Sequence, residues 1–160
     1  MSVTRRLIFA IAGFQALTAA LAASDIYPPP GNAMYDLQQA RQRAMSSGKL
    51  PMVIFGGNWC EDCRVLHARL DEPPVRDYVE KHFEVVGINI GEMNANLQVA
   101  RDLGVTLAKG VPAAGFFSPD GKPVGLTNNG ELESSRQYSA RHVLTFLRKV
   151  AEERAIEKPK

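Results

Sequence analysis

Residues Met52-Val53-Ile54-Phe55 form an unbroken apolar run between Pro51 and Gly56-Gly57. A strand with no polar positions has no face for water, so it must be covered on both sides. Immediately after the glycines, Asn58-Trp59-Cys60 opens a stretch in which Cys63, Leu66 and Leu70 recur at helical spacing. A doubly covered strand that passes straight into a helix restricts the chain to a layered α/β architecture.

The other segments supply the layers. Ala33 to Ser47 reads as a helix with Asn32 as its N-cap, an apolar stripe of Leu37, Ala40, Ala44 and Met45, and Gly48 as its stop. A helical stretch through Leu70, interrupted at Pro73-Pro74, resumes to about His82, and Phe83 to Ile90 is a second strand. Asn94 to Leu103 reads as a helix ended by Gly104, and Ala113 to Phe117 as a strand. The turn at Asp120-Gly121 then leads to a short strand, Val124 to Leu126. Ser139 caps a last helix carrying Val143, Phe146, Leu147 and Val150, with a frayed end from Glu152. The expectation is a central mixed sheet of about four strands with helices on both faces. Strands joined through helices should lie parallel, and the closing hairpin antiparallel. At 160 residues with 45% hydrophobic and 22% charged side chains, one domain with a real core is expected and a disordered chain is excluded.

The first 22 residues have the layout of a secretory signal peptide. Arg5-Arg6 precede an apolar run from Leu7 to Leu17, and Ala20-Leu21-Ala22 supplies a small-x-small cleavage pattern. An uncleaved N-terminal anchor is the alternative, although the run is short for a membrane span of about 20 residues. The expected division is a signal peptide over 1–22, a Pro-rich linker over 23–32, the folded domain over 33–153 and a polar tail over 154–160. Losing Arg5 and Arg6 from 19 basic residues leaves 17, against 17 acidic ones, so the net charge of +2 belongs to the leader. No basic run remains to recommend nucleic acid as a partner. Export would also set an oxidising context, in which a cysteine pair can form and persist as a disulfide.

Both cysteines of the chain stand in one motif, Cys60-Glu61-Asp62-Cys63. One helical turn brings the two side chains to the same side, and the first faces the positive end of the helix, which favours a thiolate. That arrangement suits thiol–disulfide exchange. A structural staple closing about four residues would contribute only roughly 2 kcal/mol. Haem attachment needs a histidine where Arg64 stands. A metal site remains open, because His67 lies one turn beyond Cys63 and two thiolates with an imidazole suit zinc or copper(I).

Together these residues resemble the thioredoxin superfamily. Trp59-Cys60-Glu61-Asp62-Cys63 follows the strand, and Gly110-Val111-Pro112 precedes Ala113 to Phe117. The Asp120-Gly121 hairpin and a closing helix come in the family's order. The resemblance implies a thioredoxin-like fold over about residues 50 to 150, with Cys60 as attacking nucleophile and Cys63 as resolving thiol. It also implies a cis Pro112 opposite the cysteines, and Trp59, Val111 and Pro112 in contact with an extended substrate.

This chain departs from the family pattern in three places. Ile54 stands where many members carry a proton-accepting aspartate, Ala68 lies where a mid-helix proline is common, and Glu61-Asp62 are acidic. Carboxylates beside a thiol oppose its ionisation. The expected function is therefore an exported, periplasmic thiol–disulfide oxidoreductase that acts as a reductant or disulfide-transfer protein. It would be a monomer with no cofactor beyond its own disulfide, serving exported proteins and re-reduced by a membrane thiol donor. The alternatives are a metal-binding module of Cys60, Cys63 and His67, or a binding protein without turnover.

Overall fold

The computed structural model describes residues 24 to 157, with side chains through residue 153. The expected signal peptide and the last three residues lie outside the described residues. The elements follow in the order α1 (Ala33–Ser47), β1 (Leu50–Gly56), α2 (Glu61–Asp71), α3 (Pro73–His82), β2 (Phe83–Asn89), α4 (Leu97–Asp102), β3 (Ala113–Phe117), β4 (Pro123–Leu126) and α5 (Ala140–Glu157). The four strands form one mixed sheet in the order β2-β1-β3-β4.

Every residue of β1 is buried, as its unbroken apolar run demands. Val53 and Phe55 point to one face, where Val86 and Ile88 of β2 meet Leu37 and Ala40 of α1 and Val99 and Ala100 of α4. Met52 and Ile54 point to the other, against Leu66 and Leu70 of α2, Val75 and Val79 of α3, and Val143, Leu147 and Val150 of α5. Phe55 and Phe116 are fully buried on opposite faces. Each such side chain contributes roughly 2–3 kcal/mol through removal of apolar surface from water.

Three expectations about topology and boundaries need correction. β1 pairs parallel with β2 but antiparallel with β3, although a helix separates β2 from β3. The connection, with a six-residue α4 that advances only about 9 Å, does not return along the seven residues of β2 at about 3.3 Å each. The chain therefore re-enters the sheet from the end at which it left. α4 also begins later than Asn94. Met93 and Asn96 adopt left-handed backbone, and the Asn96 side chain donates to the Asn89 and Pro30 carbonyls instead of continuing a helix. At the C-terminus, α5 continues to Glu157, since Glu152-Glu153-Arg154-Ala155 are good helix formers with no breaker before Pro159.

The Pro-rich segment does not act as a spacer. Tyr27 is buried in the core, and the chain from Ser24 to Pro30 is strapped across the end of the sheet. Its prolines cannot donate hydrogen bonds, but their carbonyls accept them: Asn89 Nδ2 bonds Pro28 O at 2.9 Å and Asn96 Nδ2 bonds Pro30 O at 2.8 Å. A short 3-10 turn over Pro30–Asn32 then runs directly into α1, so the Asn32 side chain makes no capping bond. Ser139 does cap α5, its hydroxyl accepting from the His142 N–H at 3.2 Å. Among the described residues, no helix is long and apolar enough to cross a membrane.

Candidate active site

The end of β1 and the start of α2 build the site. Gly57 O accepts from the Cys60 N–H at 3.1 Å, and Arg64 N–H reaches Cys60 O at 3.1 Å to close the first turn. Cys60 occupies the N-cap in an extended conformation, and its Sγ accepts from the Cys63 N–H at 3.1 Å. The two cysteines are joined as a disulfide, with Cα atoms 5.2 Å apart. On reduction, the same N–H and the helix end would stabilise a thiolate on Cys60 over the neutral thiol. Cys60 retains 5% exposure and Cys63 only 1%, so the outward sulfur is the one a partner can approach.

Opposite the bridge lies the loop before β3. The Val111-Pro112 peptide is cis, and Val111 O sits 3.4 Å from Cys60 Sγ across 51 residues of sequence. Trp59 is half exposed, with its indole Nε1 donating to Gly91 O at 2.7 Å. Gly57 makes room for that ring, since a Cβ there would lie 2.5 Å from Nε1.

Glu61 and Asp62 do not both project into water. Arg136 donates its backbone N–H to Asp62 Oδ1 at 2.8 Å, its Nε to Asp62 Oδ2 at 3.1 Å and its Nη1 to Glu61 Oε2 at 2.9 Å. Asp62, foremost among the partners, holds the guanidinium above its ordinary pKa. Arg136 thus offsets part of the carboxylate charge beside the helix end.

The alternative metal set is Cys60, Cys63 and His67. Cys60 and Cys63 are bonded to each other, and His67 turns to Asp71, with Nδ1 3.6 Å from Oδ2. Among the described residues, no three His, Cys, Asp or Glu side chains gather where a metal ion could be held.

A family model described as thioredoxin-like matches residues 32–119, more than half of the chain. The chain belongs to the thioredoxin-like family. Its fold is similar to a solved disulphide isomerase from Xylella fastidiosa Temecula1, with a TM-score of 0.75 and 30% identity over 81% of this chain and 98% of that one. A DsbH oxidoreductase shares the fold at a TM-score of 0.57, with 15% identity over 82% of this chain and 95% of that one. Bloodstream-specific protein 2 of Trypanosoma brucei brucei is 26% identical over 114 residues, 71% of this chain. The chain spans about a fifth of that curated relative's length, 21%.

In this thioredoxin-like chain, four residues around the site escaped the sequence reading. Asn58 Oδ1 accepts the N–H groups of Ile26 at 3.0 Å and Tyr27 at 2.9 Å, while its Nδ2 donates to Tyr27 O at 3.2 Å. Arg64, on the first turn of α2, donates to Asn58 O at 2.7 and 3.0 Å and to Ser24 O at 3.0 Å. Tyr27 and Arg136 complete the set. Ile26-Tyr27, an apolar pair inside an otherwise polar and Pro-rich stretch, was the available signal that this segment packs. Arg136 carried no comparable signal.

Proposed function

We propose that this chain is an exported thiol–disulfide oxidoreductase that reduces or transfers disulfides in exported proteins. The observation that carries the reading is the Cys60–Cys63 bridge at the start of α2, with Cys60 Sγ receiving the Cys63 N–H and facing Val111 O. In the reductive direction, the Cys60 thiolate attacks a substrate disulfide, and one substrate sulfur leaves as a thiolate. Cys63 then loses its proton and attacks Cys60 Sγ, which releases the second substrate sulfur and restores the bridge. The substrate gains two electrons, and the cysteine pair is oxidised by two. Trp59, Val111 and Pro112 are assigned to an extended substrate segment, with the Val111 backbone offered as a strand edge.

Glu61 and Asp62 support reduction over strong oxidation. Their negative charges, partly offset by Arg136, oppose the extra thiolate stabilisation on which strong oxidants depend. Disulfide transfer is kept alongside reduction because the 30% identical solved relative carries the name disulphide isomerase. The leader supports a periplasmic location after cleavage, with a membrane thiol donor for re-reduction and a monomeric working form.

The deciding measurement is the reduction potential of the Cys60–Cys63 pair, expected near about −270 mV; a value near about −120 mV overturns the reductant assignment. A Cys63→Ser variant should also accumulate mixed disulfides with exported proteins. Capture of none would favour a binding protein without turnover.

A further inference from the structure

Thiol exchange requires Cys63 to lose a proton while almost wholly buried, and the residue behind it is Ile54, which can take none. The strap fills the gap. A Cβ at Gly56 would lie 2.7 Å from Cys63 Sγ and collide with the Tyr27 hydroxyl, so sulfur and oxygen crowd one point and lie within twice that distance of each other. The Tyr27 ring crosses the sheet over Gly87, where a Cβ would lie 3.1 Å away. Sulfur and phenol line a cavity of about 110 Å³ with Ile26, Ile54, Leu66 and Val85. That volume holds a few waters at roughly 30 Å³ each.

We propose that the Tyr27 hydroxyl is the positioning partner of the Cys63 thiol in the reduced protein. It donates a hydrogen bond, directly or through one water, that stabilises the thiolate as it forms. Burial raises the phenol's pKa well above its ordinary value, so the hydroxyl keeps its proton and acts as a donor. Apart from Tyr27 and Cys63, the polar side chain on the cavity wall is His67, half exposed and turned to Asp71; β1 and β2 contribute only Ile54, Val85 and Gly87 there. Glu61 and Asp62 are engaged by Arg136 and do not line the cavity. The Cys63 proton passes to water, and the thiolate attacks Cys60 Sγ as the Cys60–substrate bond breaks.

The inference rests on the thiol-exchange reading, but its test does not require a substrate. In a Cys60→Ser background, ultraviolet thiolate absorbance gives the ionisation midpoint of Cys63; in Cys63→Ser it gives that of Cys60. Tyr27→Phe keeps the ring and removes the donor. It should lower the Cys63 thiolate fraction at neutral pH about tenfold and leave Cys60 unchanged. An unchanged Cys63 midpoint, or equal shifts at both cysteines, overturns the assignment. With Tyr27 intact, an isotope-labelled tyrosine resonance should titrate with the Cys63 midpoint; a Tyr27 signal that stays still through that titration overturns it equally.

Discussion

Cys60 and Cys63 stand one helical turn apart, yet their surroundings are built by opposite means. The front of the bridge is polar and borrowed from later sequence: the Val111 carbonyl, and Arg136 holding Glu61 and Asp62. The rear is apolar and borrowed from earlier sequence: Ile26 and Tyr27 on the strap, against Ile54 and Leu66. A partner meets the front, where charges are exposed and salt can screen them. The rear is buried and mostly apolar, with room for only a few waters, so a single hydroxyl there counts for more than a charge at the surface. One disulfide can therefore be tuned from two sides with different sensitivities.

The largest expected effect tests whether the rear depends on the strap. Asn58→Ala removes three hydrogen bonds to Ile26 and Tyr27 and should cost about 3 kcal/mol, measured as a lower denaturant midpoint at constant slope. Limited proteolysis ahead of residue 30 should accelerate with it. A loss below about 1 kcal/mol would mean that the rear stands without its strap.

Gly56→Ala comes next. Overpacking against Tyr27 and Cys63 should cost about 2 kcal/mol. The same substitution in a Tyr27→Ala background should cost less, because one of the two colliding groups is gone. Additive losses in that double-mutant cycle would separate Gly56 from Tyr27.

The smallest effect belongs to the front. Arg136→Gln should leave stability almost unchanged, since the Arg136 side chain is exposed and its backbone N–H still holds Asp62. It should lower the Cys60 thiolate fraction at neutral pH by roughly twofold, because both carboxylates lose their cation, and about 1 M salt should erase the change. A larger shift at Cys63 than at Cys60 would break the division between front and rear.

Local chemistry explains how much of this was legible. α1 and β3 begin and end where Gly48 and the Ala113-to-Phe117 run place them, and the doubly buried β1 follows from its own four residues. The cysteine pair announced its chemistry through spacing and position at a strand-to-helix junction. The antiparallel β3 did not show, because it depends on the end at which a 23-residue connection re-enters the sheet, which no local pattern encodes. Arg136 did not show either. Its partners lie 74 and 75 residues away, and an exposed arginine in a polar loop looks the same whether or not it closes on them.

The tyrosine's path across the sheet also ties together three distant positions. Its ring lies over Gly87 and its hydroxyl presses on Gly56, so both glycines are kept bare by a residue far upstream. Among related sequences these positions should be inherited as a set. A lineage that exchanged the tyrosine for a small residue would open a hollow beneath the resolving sulfur and relax the constraint on both glycines, so larger side chains would accumulate there together.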